Sequence, residues 1–400
     1  MLGGFHTMGL DRKTKEAIRM ERFESIYDRF KAKSLTTHEA AELLGITERQ
    51  FLRQRARYDE EGLSGLVDRR VGKLSPLRAR KEEVEKLQKL YKDRFSNFSV
   101  AHFYSFYRYN FEYMRSYTWV KNKLIEGKLI HPSKKGGPHR LRRPRRPRAG
   151  MMLHQDASTH NWFSSYNCDL VITLDDASSE ITSGFFCEQE GTYSSMRGIK
   201  ETIEDYGLFC ELYSDRGTHY FNTMENGRVD KKNLTQVGRA LKELSIQHIP
   251  AYSPQARGRM ERIFRTIQGR LPKELELYNI RNMEDANNYL RKTFIPKYNK
   301  EFSVKPLDPI PAFMNVKHIN LSNVLCLKDA RVVCTDNTVK YKGLILQIPE
   351  NKHRYNYVKC NVEVREHLNG DISIYYGHLK IAYFYSHELN KRLKRLAYAL

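Results

Sequence analysis

Leu153-His-Gln-Asp156 opens the region that decides the fold of this chain, and two later stretches complete it: Leu212-Tyr-Ser-Asp215-Arg-Gly217 and Ser253-Pro-Gln-Ala-Arg-Gly-Arg-Met-Glu261-Arg262. Asp156 follows an apolar start and is typical of a strand, and Asp215 ends a second apolar run just before a glycine. Carboxylates from two strand ends and a helix can converge on hard divalent cations. Two such ions about 4 Å apart can clamp the attacking and leaving oxygens of a phosphodiester. Each acid taken alone is more often a solvated surface residue.

The helix that carries Glu261 has two distinct faces. Apolar residues recur along one face at helical spacing, at Met260, Ile263, Phe264, Ile267 and Leu271. The opposite face carries Arg257, Glu261, Arg265 and Gln268. The helix is therefore predicted to pack on a core while the carboxylate of Glu261 points elsewhere.

Three longer segments resemble the DDE transposase and retroviral integrase family, which has a ribonuclease-H-like core. They are HQDAS with CDLVITLDDASSEITSGFF, then LYSDRGTHYF, then LKELSIQHIPAYSPQARGRMERIFRTIQGRLPKEL. The chain resembles in particular the bacterial insertion-sequence transposases of the ISNCY type. This resemblance implies that Asp156, Asp215 and Glu261 form the catalytic triad. It also implies that the three carboxylates hold two Mg²⁺ ions, for which Mn²⁺ can substitute.

One spacing departs from the family pattern. Between Asp215 and Glu261 lie 45 residues, which is more than in the better-known members of the family. Residues 222–233 are polar and are predicted to form a loop that accounts for the excess. Glu225 and Asp230 within this loop are weaker alternatives to Glu261. The adjacent pair Asp175-Asp176 is predicted to be structural, since in the family such a pair caps the hairpin.

Composition points to a polyanionic partner. Lys and Arg number 69 against 47 acidic residues, which gives a net charge of +22 and a pI near 9.6. Nucleic acid is the first candidate and an anionic membrane surface is the alternative. No apolar run approaches the roughly 20 residues that span a bilayer, and no signal peptide is recognisable. The six cysteines form no CxxC pair, which predicts reduced thiols, no zinc site and an intracellular protein. The resemblance to bacterial transposases implies a cytoplasmic, nucleoid-associated protein.

The N-terminal third carries a helix-turn-helix pattern. Thr36 with Glu39 and Thr47 with Gln50 form two capping boxes, and Gly45 separates the two short helices. Apolar residues predicted to form the small core between these helices include Phe51 and Leu52. The exposed face of the second helix is predicted to contact DNA through Arg49, Gln50, Arg53 and Arg57. A plain helical hairpin with a solvated basic face is the alternative.

Three further regions are predicted to contact DNA. Ser116–Gly127 is typical of a second recognition helix, with Tyr117, Lys121 and Lys123 as contacts, while the aromatic-rich segment 99–111 before it is predicted to be mostly core. Residues 134–148 carry eight cations and no acid, with contacts expected at Arg140, Arg142, Arg143, Arg145 and Arg146. Phosphates near the scissile bond are expected to contact Arg257, Arg259 and Arg262.

The chain is therefore predicted to be a multidomain α+β protein. Its expected parts are a helix-turn-helix domain (1–75), a second helical DNA-binding domain (76–133), a basic linker (134–149), a ribonuclease-H-like α/β core with a mixed sheet (150–303), a linker (304–322), a small β-barrel (323–386) and a basic tail (387–400). Short alternating strands from residue 324 onward carry the barrel prediction.

The predicted function is that of a DNA transposase. It would bind the terminal inverted repeats of a mobile element, cleave a strand there by two-metal phosphodiester hydrolysis, and join the 3′ end to target DNA by transesterification, which integrates the element. Double-stranded DNA and a homodimer or larger assembly on paired ends are the expected partners, with no membrane. A DNA-binding regulator with a catalytically inactive core is the alternative, and a structure-selective nuclease is a third class.

Overall fold

The computed structural model of the protein describes residues 12–67, 78–110, 115–131, 144–163, 167–225, 227–252, 258–316 and 318–389. The chain divides into two compact units, Met1–Leu87 and Gln88–Leu400. Several predicted positions lie outside the described residues, namely Arg140, Arg142, Arg143 and Arg257, together with residues 390–400 of the basic tail.

The first unit is built on three helices, α1 (Arg12–Lys31), α2 (Thr37–Leu44) and α3 (Glu48–Glu61). Both predicted capping boxes are present, and Gly45 between α2 and α3 has the left-handed backbone (φ 66°) that glycine adopts without strain. The three helices bury a small common core that includes Phe23, Ala40 and Phe51.

One predicted core residue of this unit lies on the surface. Leu52 is 45% exposed, whereas Phe51 is fully buried. Successive helical residues point about 100° apart, so only one of two neighbours can face a small core. The prediction that Leu52 belongs to this core was wrong.

Three more helices follow, α4 (Lys81–Arg94), α5 (Val100–Asn110) and α6 (Tyr117–Glu126). Aromatic residues of this region pack on one another, and Phe95 contacts both Phe98 and Phe103 ring to ring. Phe103 and Tyr107 of α5 are buried, which confirms that this segment supplies core residues. Ser116 caps α6 by accepting a hydrogen bond from the backbone N–H of Trp119.

A five-stranded mixed sheet forms the centre of the second unit. Its strands are β1 (Met152–His160), β2 (Cys168–Asp175), β3 (Ile181–Cys187), β4 (Glu211–Ser214) and β5 (Gln247–Pro250). They lie in the order β3-β2-β1-β4-β5, with antiparallel pairing from β3 to β1 and parallel pairing from β1 to β5. The predicted mixed sheet is confirmed.

Helices cover both faces of this sheet. On one face lie α7 (Thr192–Tyr206) and α8 (Gln236–Glu243), which pack on apolar residues of β1 and β4. On the other lie α9 (Gly258–Leu277), α10 (Met283–Tyr289) and α11 (Ile295–Phe302), with a single π-helical turn at Leu290–Phe294. The predicted apolar face of α9 is buried in the cluster that includes Leu170, Ile172 and Phe186.

Helix α5 is docked on α9 through buried polar groups. His102 Nε2 lies 2.8 Å from Glu274 Oε1, and the hydroxyl of Tyr289 donates to the other carboxylate oxygen of Glu274 at 2.5 Å. His102 is 2% and Glu274 7% exposed, so this contact is closed to solvent. Lys273 Nζ also donates to the carbonyl of Asn97 at 2.6 Å. Helix α5 and the α9 face of the sheet therefore belong to one packed structure.

The C-terminal region begins with the short helix α12 (Leu321–Val324) and continues as strands. They are β6 (Cys326–Val332), β7 (Thr338–Tyr341), β8 (Leu344–Gln347), β9 (Asn361–His367), β10 (Ile372–Tyr376) and β11 (Leu379–Phe384). Strands β11, β10, β9 and β6 form one antiparallel sheet in that order, and β7 pairs only with β8. The two sheets share one apolar core.

The predicted closed barrel is not found among the described residues. A barrel needs every strand paired on both sides, whereas here β7 and β8 form a separate hairpin and β6 and β11 are the edges of an open sheet. The small core is covered by packing this hairpin onto the larger sheet. No helix of the described residues is long and apolar enough to cross a lipid bilayer.

Candidate active site

Asp156 and Asp215 lie at the same level of two neighbouring strands. The parallel register pairs Leu153 with Leu212 and His154 with Tyr213. Continuing that register by two residues places Asp156 opposite Asp215, just beyond the end of β4. Adjacent strands lie about 4.8 Å apart, and paired residues of parallel strands point to the same face. The two carboxylates therefore leave the sheet side by side.

Each of these aspartates is partly shielded from solvent and has a backbone donor. Oδ1 of Asp156 accepts from the N–H of Ala157 at 3.1 Å, and Oδ1 of Asp215 accepts from the N–H of Gly217 at 2.9 Å. Hydrogen bonds to an ionised carboxylate are stronger than those between neutral groups. The backbone N–H of Gly217 thus restrains the orientation of the Asp215 carboxylate.

Helix α9 covers the same face of the sheet as these carboxylates. Asp156 lies opposite Ile172 in the antiparallel pair of β1 and β2, so both side chains leave the sheet on one side. Ile172 belongs to the buried cluster that contains Met260 and Ile263 of α9. The helix is therefore packed immediately beside the strand that carries Asp156.

Two polar contacts fix the direction of α9. Near its start, the guanidinium of Arg259 pairs with Asp176, and Asp176 Oδ1 lies 2.7 Å from Nε2 of His154. Farther along, Gln268 Nε2 donates to Ser158 Oγ at 2.8 Å. Because His154 precedes Ser158 on β1, the helix runs alongside that strand in the same direction.

Glu261 lies between these two contacts on α9, as Asp156 lies between them on β1. Its side chain is exposed and occupies the same edge of the helix as Gln268, two turns earlier. The backbone therefore brings the third predicted acid to the region of the other two. Within the part of the chain that the structure describes, no three His, Cys, Asp or Glu side chains lie close enough to hold one metal ion.

Asp175 and Asp176 serve the hairpin between β2 and β3, as predicted. Asp175 accepts hydrogen bonds from the backbone of Ser178 at 2.7 Å and from that of Gly150 at 2.8 Å. Asp176 pairs with His154 and accepts from the N–H of Arg146 at 2.7 Å. Both carboxylates are buried and engaged with protein groups.

The end of the predicted basic linker lies against the sheet. Arg145 donates to the carbonyls of Asp176 and Ala177, and Arg146 donates to Glu211 at 2.7 Å. Arg259 also donates to the carbonyl of Pro144 at 3.0 Å. A DNA phosphate would have to compete with these bonds, whereas Arg262 is exposed.

The predicted contacts of the N-terminal helices are placed unequally. Arg49 and Arg53 are exposed on α3, and Arg57 is half-buried. Gln50 accepts a hydrogen bond from the N–H of Thr47 at 3.1 Å through its side-chain oxygen, so that oxygen serves the helix cap. On α6, Tyr117 is exposed, Lys121 is half-buried and Lys123 pairs with Glu126 at 2.6 Å.

The polar loop 222–233 is confirmed as a loop in its described residues. Asp230 Oδ2 accepts from the side-chain amide of Asn233 at 2.8 Å, and Asp230 Oδ1 accepts from the backbone of Lys232 and Asn233. The bond from the Asn233 side chain, followed by the two backbone bonds, holds the pKa of Asp230 below its usual value. Asp230 therefore closes a local turn. The loop inserts between β4 and α8 without interrupting the sheet.

Sequence reasoning missed two residues near Asp215, namely His219 and Glu190. His219 Nε2 lies 3.5 Å from Glu190 Oε1, and the imidazole packs on the ring of Tyr220 at 4.1 Å between centroids. Burial, followed by the nearby charge of Glu190, raises the pKa of Tyr220 well above its usual value. A histidine four residues after Asp215 was the available signal, but its partner lies on a distant segment.

Two curated proteins are similar to the chain. A putative transposase y4bF from Sinorhizobium fredii is 30% identical over 236 residues, which are 58% of this chain and 51% of that protein. The transposase for insertion sequence IS1202 from Streptococcus pneumoniae is 28% identical over 256 residues, 63% of this chain and 52% of that protein. This chain is similar in sequence to insertion-sequence transposases. It spans about half the length of these two relatives.

Solved integrase structures are also similar, although weakly. The HTLV-2 integrase catalytic core domain in complex with magnesium is 16% identical, covers 36% of this chain and 89% of its own, and has a TM-score of 0.28. The simian T-cell lymphotropic virus intasome in complex with PP2A regulatory subunit B56 gamma is 14% identical and has a TM-score of 0.32. The match covers 75% of this chain and 96% of that chain. At these TM-scores the superpositions carry no weight for fold or function. No family model matches the chain.

Proposed function

We propose that this chain is a DNA transposase with a ribonuclease-H-like catalytic core. It binds the terminal inverted repeats of a mobile element, cleaves a strand there and transfers the resulting 3′ end to target DNA. The observation that carries this proposal is the parallel pairing of β1 with β4. Its register, continued beyond the end of β4, would set Asp156 beside Asp215 on the face that α9 covers. The sequence likeness to two transposases supports the same reading.

The donor set suits a hard divalent cation. Asp156, Asp215 and Glu261 offer only carboxylate oxygens, which are the ligands that Mg²⁺ prefers and that Mn²⁺ also accepts. Two bound ions would activate the attacking oxygen and neutralise charge on the leaving oxygen. The protein's own contribution is to hold Asp215 through the N–H of Gly217 and to carry Glu261 on a helix anchored at Arg259 and Gln268.

The remaining proposed contacts bring DNA to this site. Exposed Arg49 and Arg53 on α3 would read base edges or grip phosphates as the second helix of a helix-turn-helix unit. Tyr117 and Lys121 on α6 would contact a second part of the terminal repeat. Exposed Arg262 would contact a phosphate close to the scissile bond. We also propose a homodimer or larger assembly on paired ends, acting in the bacterial cytoplasm at the nucleoid.

The test uses DNA that flanks the protein's own gene. The protein is incubated with labelled fragments carrying the two element ends, with and without Mg²⁺, and strand cleavage and joining are followed on denaturing gels. We expect cleavage at the ends only with Mg²⁺, and loss of cleavage with retained binding in Asp215→Asn. Asp205→Asn is the matched control, because Asp205 is an exposed carboxylate at the end of α7.

The outcomes separate the proposed enzyme from the alternative regulator. Sequence-specific binding of the ends without cleavage by the unaltered protein would indicate a regulator with an inactive core. Full cleavage by Asp215→Asn would refute the triad. Cleavage that depends on DNA structure and ignores the end sequence would indicate a nuclease of another class.

A further inference from the structure

A shielded histidine–carboxylate pair lies beside Asp215 and has no part in the triad. Nε2 of His219 and Oε1 of Glu190 are closed to solvent and lie 3.5 Å apart. Within the described residues neither atom has a hydrogen-bond partner at normal distance. Burying polar atoms without hydrogen-bond partners lowers the stability of the fold, because each atom has lost its hydrogen bonds to water. Such atoms in a folded protein are rare and are expected to have a function.

Glu190 is held in place by its backbone. Its N–H donates to Oδ2 of Asp169 on β2 at 2.7 Å, and the chain then enters α7 through Gly191. The carboxylate therefore projects from an anchored segment at the start of a helix. Such a segment can hold an imidazole without large rearrangement.

His219 is held from its other side by Tyr220. The two rings lie 4.1 Å apart, and the buried hydroxyl of Tyr220 donates to Oε1 of Gln155 at 2.9 Å. Gln155 immediately precedes Asp156 on β1. The position of the imidazole is thus tied to the strand that carries the first proposed catalytic acid.

Gly217 places no side chain between His219 and Asp215. A Cβ at Gly217 would lie 3.0 Å from Oδ1 of Asp215, 3.0 Å from Cε1 of His219 and 3.2 Å from its Nδ1. The Nδ1 edge of the ring and the carboxylate of Asp215 therefore border one small gap. Any side chain other than glycine would fill that gap.

We infer that His219 orients the nucleophile of the strand-breaking reaction, with Glu190 as the residue that positions the ring. This inference rests on the proposed transposase function. When Nε2 of the neutral imidazole carries the hydrogen and directs it toward Oε1 of Glu190, 3.5 Å away, Nδ1 presents a lone pair. That lone pair accepts a hydrogen bond from the attacking hydroxyl group, which is water during cleavage and the 3′-hydroxyl of the element end during joining.

A residue that orients the nucleophile and a residue that only supports the fold are expected to affect the reaction products differently. A hydrogen bond to the nucleophile constrains where its oxygen lies, and a misplaced nucleophile reacts slowly. Water and a larger alcohol would depend on this constraint to different extents. Loss of mere structural support would slow attack by both in the same proportion.

The experiment compares two nucleophiles at one phosphate. Element-end DNA is cleaved with Mg²⁺ in the presence of glycerol, and the hydrolysis and alcoholysis products are separated on a sequencing gel. The variants are His219→Gln, His219→Asn and Glu190→Gln. His378→Gln is the control, because His378 is an exposed histidine in the turn after β10.

We expect His219→Gln to lower hydrolysis roughly 10- to 100-fold and to change the ratio of the two products, since the Gln amide replaces Nε2 and leaves the Nδ1 position vacant. His219→Asn places its side-chain amide at the Nδ1 position. It should therefore keep the product ratio of the unaltered protein and react faster than His219→Gln. Glu190→Gln should change the ratio in the same direction as His219→Gln. His378→Gln should match the unaltered protein.

Equal loss of both products in His219→Gln, or an unchanged ratio in both His219→Gln and Glu190→Gln, would overturn the inference. Thermal unfolding and binding of the uncleaved DNA identify variants that fail to fold, and in that case Glu190→Gln decides alone. If the unaltered protein cleaves nothing, the proposed function itself fails. Cleavage by the unaltered protein with no change in the variants refutes only the role of His219.

Discussion

At the scale of single residues, Gly217 links the two halves of the proposed site. Its N–H holds one oxygen of Asp215, and its missing side chain leaves room beside His219. A methyl group there would meet Asp215 and the imidazole at 3.0 Å, tighter than ordinary van der Waals contact. The residue therefore combines a backbone donor for Asp215 with the absence of a side chain that would crowd both Asp215 and His219.

The identity of the third acid is testable at this scale. Glu261→Gln should abolish strand transfer, because Glu261 is the third carboxylate of the proposed triad. Glu225→Gln and Asp230→Asn should leave transfer within about twofold, since Asp230 closes a local turn. Joining of labelled end DNA to a plasmid measures the difference. An inactive Glu225→Gln variant with an active Glu261→Gln variant would reverse the assignment.

His248 predicts how stability depends on pH. Burial, and then the charge of His219, lowers the pKa of His248 to about 3. An unfolded histidine titrates near 6.5, so between these values the unfolded chain binds a proton that the folded chain does not. Stability should therefore fall as pH falls from about 6.5 toward 3, by at most about 1.4 kcal/mol per pH unit from this residue.

Thermal unfolding between pH 7.5 and 5 checks this prediction. The apparent Tm should drop on acidification, and His248→Gln should flatten the curve while lowering Tm at pH 7.5, because the imidazole stacks on Phe221 at 3.9 Å and lies 2.9 Å from the hydroxyl of Ser214. A parallel shift of the whole curve in His248→Gln would show that another group carries the pH dependence.

Sequence reasoning predicted the strand ends that carry part of the proposed site. Asp156 and Asp215 each end an apolar stretch, and the structure places those stretches in neighbouring parallel strands. The pairing of Glu190 with His219 was out of reach, because it joins a helix entry to a loop after another strand. Only the tertiary arrangement of β3, β4 and α7 brings the two side chains together.

At the scale of elements, α3 combines a firm start with an exposed basic face. The capping box of Thr47 and Gln50 fixes the first turn, and Phe51 anchors the helix in the small core. Arg49 and Arg53 lie one turn apart and face solvent. Their placement depends on local signals in the sequence, which explains why this element was predicted from sequence.

Substitution of these arginines should weaken DNA binding. Arg49→Ala or Arg53→Ala is expected to cost about 1–3 kcal/mol on the element end if the side chain contacts a base edge. Lys33→Ala is the control, as this exposed lysine lies after α1 and outside the proposed face. Titrations with end DNA and with scrambled DNA give the comparison. An equal loss on both DNAs would indicate a phosphate contact.

The C-terminal strands show the limit of local patterns. Strands β7 to β10 were predicted from alternation. The first predicted strand, residues 331–335, overlaps β6 only at its last two residues, and β11 and the pairing order were not predicted. Alternation tells which side chains face a core, but it does not tell which edges meet. The hairpin of β7 and β8 is therefore separate from the four-stranded sheet, where a closed barrel had been predicted.

At the scale of the whole molecule, the proposed joining of two ends requires more than one active site. We expect a dimer or larger complex on paired end DNA, with each active site cutting the end held by another subunit. Mixed complexes test this. A subunit with Asp215→Asn and normal end recognition is combined with an otherwise active subunit of altered recognition, and cleavage of each marked end is measured. Cleavage confined to the end bound by the active subunit would contradict action in trans.

The contact between α5 and α9 limits how relatives of this protein can exchange parts. Suppose that a chain acquired residues 144–400 of this protein but a different helix in place of α5. The carboxylate of Glu274 would then be buried against a side chain that does not pair with it as His102 does. His102 and Glu274 lie 172 positions apart yet form one contact, so they must be inherited together or replaced together. Recombination between related elements should therefore preserve matched pairs at these two positions, even where the residues between them diverge.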